Sequence, residues 1–446
     1  MVEKSPSRVL GLGRAALLVW MLGAVLPYAL SNPVNVDFGQ LYMAGALAAE
    51  GSWDALYATP LPDAILNPAY PEASTPHPEY LRLAEARGVP AEACRFIYPP
   101  PVALAVMPLG WLSYDTARFV FAAVCCLALW FTGIQAGYVY RHFRGRAEPW
   151  VELLLAALVC LSPAMINGMR SLNVSMFTCA VVGVAVLTLL RRQELSAAGA
   201  FALGGVVKAT SGPLVVVAAF LGRWKAVATT AAITVAVVTA SLVVMGNGPF
   251  ERFFGDIAPR LTVSDPAASN QSLAALLLRL RLTEADGPLL SGVRYAGVVL
   301  LLGLAWIARR QTRRDHARYD QHLIAGLYAA MLAWMVFNPL FWSHYQIVLT
   351  PFWGWLAWEW RRQLACGRWL LAVGLAVCFV SVWFPATIPL SQRFDTPELV
   401  TSHGLWGTLG LLAYAVGRLL GLGWLGFASD DNEALPDKPS EAAACP

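Results

Sequence analysis

The chain has 446 residues, of which 57% are hydrophobic and only 13% are Asp, Glu, Lys or Arg. A soluble domain has about 25% charged residues and covers its surface with them, so this composition excludes a soluble enzyme and a disordered chain. The net charge of +4 is too small to indicate a nucleic-acid partner. Uncharged runs such as 226–246 reach the length of about 20 residues that crosses a hydrocarbon layer. The sequence therefore predicts an all-α polytopic membrane protein.

The apolar runs, taken in chain order, predict the spans. The first run, 15–30, follows three basic residues and is interpreted as a retained first span with a cytoplasmic N-terminus. The polar, proline-rich stretch 31–101 is predicted to be a long first loop outside the membrane. Two segments, 101–113 and 196–221, are too short or too polar for one crossing and are predicted to be broken or re-entrant helices. Further spans are predicted at 115–140, 150–166, 174–190, 226–246, 293–308, 321–337, 345–360, 369–384 and 404–425.

The basic residues agree with this layout. Of the 32 Lys and Arg, 18 fall in short segments that are predicted to face the cytoplasm, as the positive-inside rule requires. The layout gives about 10–12 transmembrane helices with both termini cytoplasmic. It predicts one transmembrane domain over 1–428, a second outer loop at 247–292 and a disordered acidic cytoplasmic tail at 429–446.

The first outer loop begins with a candidate functional carboxylate. Asp37 stands at the start of a predicted helix that runs to about residue 49 and has an apolar face suited to the membrane interface. An ionised carboxylate accepts a proton from a hydroxyl group, which is the task of a general base. Two alternatives stay open: Asp37 or Asn35 caps that helix, or Asp54 is the functional carboxylate.

Other unusual polar residues are predicted to lie on the same side of the membrane. Lys208 is a lysine inside an apolar segment, at the apex of a broken helix pair, where a cation suits an anionic headgroup; the alternative is a lysine that snorkels to the interface. Arg170, in the turn 170–173, and His344 are candidates for contact with a phosphate, and each is equally explained as an ordinary interfacial residue. Tyr98 is interpreted as an interfacial anchor.

Taken together, these motifs resemble those of glycosyltransferase family 87, the polyprenol-phosphate-sugar-dependent transferases with the C-type (GT-C) membrane fold. The resemblance runs from about Asp37 to Tyr345. Two places differ: the family often has Gly-Gln-x-Asn where this chain has 170–173, and a second His where it has Tyr345. The matching pieces are Asp37-Phe38-x-x-x-Tyr42, Gly51-x-x-x-x-Leu56-Tyr57, Tyr98-Pro99-Pro100, Pro108-Leu109, Lys208 before Pro213, Asn270-x-Ser272 and Asn338-Pro339-x-x-Trp342-x-His344.

The resemblance implies an inverting transfer of a sugar from a polyprenyl phosphate to a hydroxyl of a glycolipid or glycan at the outer face of the plasma (inner) membrane. Mannose is favoured, and arabinofuranose is the alternative sugar. By the same resemblance Asp37 is the general base, and Lys208 and His344 neutralise the donor phosphate. Further contacts with the donor or substrate are expected from Arg170, Asn173, Tyr42, Tyr98, Asn270 and Trp342.

No cofactor is expected. The sequence has no dense acidic cluster, and its eight cysteines form no CxxC pair or Cys/His cluster of metal-binding spacing. Two other functions stay open. A flippase or transporter of lipid-linked precursors needs polar residues at the midplane and a cavity that faces the cytoplasm. A transferase of the protein O-mannosyltransferase type is expected to have a second acidic residue beside Asp37, which Asp37-Phe38 lacks. The oligomeric state is not predicted.

Overall fold

The computed structural model describes residues 6–32, 35–61, 73–90, 93–267, 270–284, 287–340, 343–383 and 402–422. A two-stranded antiparallel ribbon pairs β1 (Thr59–Pro60) with β2 (Ser74–Thr75). Short 3-10 helices occur at Trp53–Ala55, His316–Arg318 and Ser343–Phe352, and π-helical turns at Met21–Val25 and Phe253–Ile257. The α-helices of the described residues are α1 (Pro6–Trp20), α2 (Leu26–Ser31), α3 (Val36–Ala49), α4 (Pro78–Arg87), α5 (Pro100–Gly110), α6 (Tyr114–Arg144), α7 (Pro149–Cys160), α8 (Pro163–Ser171), α9 (Ser175–Leu190), α10 (Glu194–Lys208), α11 (Gly212–Phe220), α12 (Trp224–Met245), α13 (Gly248–Arg252), α14 (Ala258–Arg260), α15 (Leu273–Arg279), α16 (Pro288–Arg314), α17 (Tyr319–Phe337), α18 (Trp353–Ala365), α19 (Trp369–Trp383) and α20 (His403–Leu420).

The structure is that of an all-α polytopic membrane protein, which confirms the predicted fold class. Within the described part of the chain, four stretches are long and apolar enough to cross a membrane. In the apolar 18-residue stretch of each helix, only 6% of α12 and 17% of α16 is buried inside the protein. Water does not tolerate such large continuous apolar surfaces on a folded protein, so hydrocarbon covers them. The four stretches are Arg8–Ser31, Tyr114–Arg144, Trp224–Met245 and Pro288–Arg314.

Most helices coincide with the predicted apolar runs, and two runs differ. The predicted span 150–166 is two helices, α7 and α8, because Pro163 has no N–H to continue α7 and instead opens α8. The predicted span 345–360 begins as the 3-10 helix Ser343–Phe352, which contains Pro351, before it becomes α18.

The broken segment at 196–221 has the form that the sequence predicts. Helix α10 ends at Lys208, where Ala209 takes a left-handed conformation with φ of 53°, and α11 starts again at Gly212. The turn therefore places Lys208 at a helix end, next to the bend in the chain. The predicted short helix near 101–113 is also present, as the 11-residue α5.

One end of the bundle collects arginines and the carboxylates that pair with them. At the C-terminal end of α6, Arg141 contacts the buried Glu152 at 2.6 Å, and Arg14 of α1 contacts the same carboxylate at 3.2 Å. The guanidinium of Arg191, from the turn after α9, lies 5.9 Å from the centre of the Tyr138 ring. We call this region, the C-terminal end of α6 and the loops packed around it, the arginine end.

Helix α3 is buried on nearly all of its faces. The sequence predicts that its apolar face lies along the membrane interface, but every residue from Phe38 to Ala48 is buried against protein. The cause is close packing on α5, which follows the first loop. A Cβ atom added at Gly110 would overlap the backbone carbonyl of Gly45, and one added at Gly45 would overlap the Val106 carbonyl. Glycine at these positions lets the two backbones touch, which fixes the helix that carries Asp37.

The addition of one methyl group at Gly110 should therefore loosen the contact between α3 and α5. We expect Gly110→Ala to destabilise the protein by about 1–3 kcal/mol, since an overpacked site must move the backbone. Gly199→Ala is the matched control, because Gly199 lies in α10 with nothing near its added Cβ, and alanine there should be neutral or stabilising. The measurement is thermal unfolding of the detergent-purified variants. Equal melting temperatures for Gly110→Ala and wild type would contradict this view of the α3–α5 contact.

Candidate active site

A helical hairpin brings three polar residues to one end of the bundle. Helices α9 and α10 have 16 and 15 residues, pack against each other and are joined by a three-residue turn. The N-terminus of α9 and the C-terminus of α10 must therefore lie side by side. This places Asn173 and Ser175, which begin α9, next to Lys208, which ends α10.

Lys208 is surrounded by neutral groups. Its Nζ donates to Ser175 Oγ at 2.7 Å and to Asn173 Oδ1 at 3.2 Å. The same nitrogen lies 3.5 Å from the centre of the Tyr345 ring, a cation–π contact with the face of the ring. Asn173 and Ser175 are both buried, so the ammonium is held by contacts that are shielded from solvent. No carboxylate oxygen is a direct hydrogen-bond partner of Lys208 among the bonds of the described residues.

The Asn173 amide joins Lys208 to Asp37. Its Nδ2 donates to Asp37 Oδ2 at 2.9 Å, while its Oδ1 accepts from Lys208. The backbone N–H of Ser175 also donates to Asn173 Oδ1, at 2.8 Å. These two donors on the oxygen, together with an acceptor at the nitrogen, determine which way the amide points. A carboxylate and an ammonium are thus held one side chain apart.

Two asparagines hold the start of α3 against the end of α8. Asn35 donates from Nδ2 to the Arg170 carbonyl at 2.8 Å and to the Ala29 carbonyl at 3.1 Å, and Asn32 donates to the same Arg170 oxygen at 2.9 Å. Asn35 occupies the N-cap position of α3, but its side chain does not cap the helix. The carboxylate of Asp37, in the first turn of α3, is left to contact Asn173.

Asp54, the alternative carboxylate, lies elsewhere. Its side chain is exposed, in the 3-10 turn Trp53–Ala55. Its backbone carbonyl accepts a hydrogen bond from Arg252 at 2.9 Å. Among the described hydrogen bonds, the Asp37 carboxylate is the one that connects to Lys208, through Asn173.

The remaining predicted residues fall into separate places. Tyr98 is buried, its carbonyl accepts from the Tyr57 hydroxyl at 2.7 Å, and its own hydroxyl is near enough to Asp37 and Tyr345 to interact with them electrostatically. The Arg170 side chain is exposed, although its carbonyl joins α8 to α3. We therefore place Tyr98 beside the Asp37 cluster and Arg170 at its margin.

Two further predicted site residues, Tyr42 and Asn270, donate hydrogen bonds to backbone carbonyls. The Tyr42 hydroxyl donates to the Leu112 carbonyl at 2.9 Å, which ties α3 to the turn before α6. Asn270 is buried and donates to the carbonyls of Asp265 and Pro339, at 2.8 and 2.9 Å. The structure does not bring either side chain into hydrogen-bond contact with Asp37 or Lys208. Trp342 and the side chain of His344 lie outside the described residues.

Sequence reasoning missed two members of the cluster. Ser175 could have been found from the sequence, since it stands two residues after Asn173 at the start of an apolar helix, where a polar residue is unusual. Tyr345 was recognised only as a departure from the family pattern, yet its ring covers Lys208. The described residues include no group of three or more His, Cys, Asp or Glu that is arranged to hold a metal ion.

The fold and the comparisons together define the class of the protein, which is a polytopic membrane glycosyltransferase. The chain belongs to glycosyltransferase family 87, whose sequence model matches residues 96–336. A relative from Mycolicibacterium smegmatis, the polyprenol-phosphate-mannose-dependent alpha-(1-2)-phosphatidylinositol pentamannoside mannosyltransferase, is 26% identical over 417 residues, which cover 90% of this chain and 87% of the relative. The family match includes Asn173 and Lys208, while Asp37 precedes it.

The bridge through Asn173 should be visible as thermodynamic coupling. In a double-mutant cycle on unfolding free energy, Asp37→Ala and Lys208→Met should be coupled by about 0.5–3 kcal/mol, as expected for groups in one hydrogen-bond network. In an Asn173→Ala background the coupling should fall, because the connecting amide is gone and only the direct attraction between the two charges is left. Unfolding in a detergent titration gives the free energies.

The control for this cycle pairs Asp54→Asn with Lys208→Met. Asp54 is exposed and bonded to another loop, so these two changes should be additive. Coupling between Asp37 and Lys208 that is undiminished in the Asn173→Ala background would show that the amide does not connect the two charges.

Proposed function

We propose that this membrane glycosyltransferase transfers a sugar, with inversion, from a polyprenyl phosphate to a hydroxyl of a lipid or glycan acceptor. The observation that carries the proposal is the Asn173 amide that joins the Asp37 carboxylate to the Lys208 ammonium. Transfer from a lipid phosphate needs a base for the acceptor and a cation for the departing phosphate. Mannose is the favoured sugar, since the relative from Mycolicibacterium smegmatis is dependent on polyprenol-phosphate-mannose; arabinofuranose is the alternative.

The proposed step uses both ends of this bridge. Asp37 accepts the proton of the acceptor hydroxyl as the hydroxyl oxygen forms a bond to the anomeric carbon. The bond between that carbon and the phosphate oxygen breaks on the opposite side, and polyprenyl phosphate leaves with one more negative charge. Attack from the side opposite the leaving group inverts the anomeric carbon. Lys208 neutralises the charge that the phosphate gains.

The surroundings of Lys208 support this role. Its direct contacts with Asn173, Ser175 and Tyr345 are all to neutral groups, so its charge is not cancelled by a carboxylate in contact with it. An ammonium has three N–H donors: Asn173 and Ser175 accept two of them, and the third, now beside the Tyr345 ring, turns to a phosphate oxygen when the donor binds. We propose that no metal or other cofactor takes part, because Lys208 supplies the positive charge.

Two features favour this function over the alternatives in the sequence analysis. Membership of a glycosyltransferase family supports a transferase rather than a flippase or transporter of lipid-linked sugars. Phe38 follows Asp37, whereas a transferase of the protein O-mannosyltransferase type is expected to have a second acidic residue beside Asp37.

We further propose that the site faces the outside of the plasma membrane and that both termini are cytoplasmic. Helix α6 supports this orientation: its N-terminal Tyr114 packs on Phe38 of α3, near the site, with ring centres 5.7 Å apart, and its other end is the arginine end. Short loops rich in arginine remain in the cytoplasm. We retain residues 1–428 as one catalytic transmembrane domain, with 429–446 as a cytoplasmic tail.

The role of Asp37 is tested by Asp37→Asn in purified protein, with polyprenyl phosphomannose as the donor and a lipid extract as the acceptor. We expect turnover to fall by a factor of about 100–10,000, the usual contribution of a general base, while donor affinity is retained. Lys208→Met should instead weaken donor affinity by a factor of about 10–100, since a hydrogen bond to a charged group contributes about 1.5–3 kcal/mol.

Matched controls separate these effects from general damage. Asp54→Asn removes an exposed carboxylate of the same loop, and Lys225→Met removes an exposed lysine at the start of α12; both should retain wild-type turnover and donor affinity. Full activity of Asp37→Asn would refute its assignment as the base. Unchanged donor affinity in Lys208→Met would refute the phosphate contact.

The orientation is tested by cysteine labelling in intact cells, in a chain whose eight cysteines are replaced. A cysteine introduced by Asp54→Cys, in the first loop, should react with a membrane-impermeant maleimide added outside. One introduced by Arg313→Cys, at the end of α16, should react only after permeabilisation, because short arginine-rich loops stay inside. The reverse pattern would overturn the outward-facing site and leave the proposed chemistry intact.

A further inference from the structure

A large apolar cavity lies at the arginine end, away from the candidate active site. Its volume is about 940 Å³ and it opens between α7, α18 and α19. Helix α7 has 12 residues and is therefore about 18 Å long, close to the hydrocarbon thickness of one leaflet, about 15 Å. The lining residues of α7 run from Pro149 to Leu158, about 15 Å along the helix axis, so the cavity has the depth of about one lipid leaflet. Its wall includes Leu154, Leu158, Leu364, Leu375, Ala376 and Phe379.

The polar mouth of this cavity has an excess of positive charge. Arg144, Arg146 and Arg361 all contact a single carboxylate, that of Glu148; the first two do so at 2.8 and 3.3 Å. Although burial raises the pKa of Glu148, hydrogen bonds from Arg144, Tyr140 and Arg361 hold it at about 2, so the carboxylate is ionised. One negative charge faces three positive ones, and two charges remain to be balanced.

Tryptophans mark the depth at which this mouth lies. Trp150 and Trp360, both lining residues, are 72% and 41% exposed. Trp150 is next to the first residue of α7, and Trp360 adjoins Arg361. Tryptophan and arginine side chains at helix ends lie at the level of lipid headgroups. The mouth is therefore placed where a phospholipid phosphate lies, with the apolar wall below it.

The cavity is distinct from the Asp37 cluster. Glu148 follows the C-terminal end of α6, whereas Phe38, next to Asp37, packs on Tyr114 at the N-terminal end of α6. The 31 residues of α6 make a helix about 45 Å long. A lipid phosphate at this mouth is therefore far from Lys208.

We propose that this cavity binds one anionic phospholipid of the adjacent leaflet, with its phosphate at Arg146 and Arg361 and its acyl chains against α7 and α19. The uncompensated positive charge selects an anionic headgroup over a zwitterionic one, as basic pockets between membrane helices do. The acyl chains also cover an apolar wall that no helix of the described residues covers. This site is separate from the proposed transfer reaction and does not depend on it.

The experiment is native mass spectrometry of the full chain in detergent, mixed with equal amounts of dioleoyl phosphatidylglycerol and dioleoyl phosphatidylcholine. We expect the wild type to retain one phosphatidylglycerol with about thirtyfold preference, given about 1 kcal/mol for each of the two arginines at the headgroup. Arg146→Gln should reduce that preference about fivefold, while Glu148 keeps Arg144 and Arg361 as partners. Ala376→Trp should fill the cavity and abolish retention of either lipid.

Each variant has a matched control. Arg313→Gln removes an exposed arginine at the end of α16, and Val235→Trp adds a tryptophan at a 64% exposed position of α12; both should bind as the wild type does. Equal retention of the two lipids, or an unchanged preference in Arg146→Gln, overturns the proposal. So does displacement of phosphatidylglycerol by equimolar polyprenyl phosphate, which assigns the cavity to the donor. Binding that rises several-fold on deletion of 429–446 assigns it to the acidic tail.

Discussion

The arrangement of the site depends on one neutral amide that separates two opposite charges. Asn173 donates to Asp37 and accepts from Lys208, so each charged group is hydrogen-bonded without direct contact between them. A charge isolated in a membrane-embedded site costs several kcal/mol, and a directly paired one is neutralised. The amide gives an intermediate arrangement: the Asp37 carboxylate and the Lys208 nitrogen are held close without touching, and each keeps part of its hydrogen-bonding capacity.

Three distant parts of the chain must meet for this bridge to form. The α9–α10 hairpin brings Asn173 to Lys208 through helix lengths alone. Asp37 lies on α3, outside this hairpin, and is brought to Asn173 by the contact of Asn35 with the Arg170 carbonyl and by the glycine contact between α3 and α5. Side-chain hydrogen bonds and close backbone packing thus bring the two charged groups to the same amide.

Much of the fold and of the candidate site could be predicted from the sequence, and there are physical reasons why the rest could not. Hydropathy located most helices, because lipid-facing and core helices are both apolar, but it overlooked Pro163, which ends a helix without changing the apolar pattern. Asp37 and Lys208 were recognisable because charges are rare in this sequence. Tyr42 and Asn270 were assigned to substrate from family motifs, and that assignment stays a prediction; the structure adds that their side chains donate to backbone carbonyls, which the sequence does not reveal. Ser175 and Tyr345 are found only through three-dimensional contacts with Lys208.

The two ends of the bundle manage charge in opposite ways. At the arginine end, buried carboxylates such as Glu152 are contacted directly by guanidinium groups, and that pairing ties helices together. At the other end Lys208 has neutral partners, which hold its position without cancelling its charge. Direct pairing suits a structural role because a carboxylate and a guanidinium in contact stabilise each other, whereas the phosphate contact that we propose for Lys208 needs a cation that no carboxylate touches. The few charges of this chain are therefore arranged in two ways: direct pairs join helices at one end, and at the other end a neutral amide separates Asp37 from Lys208.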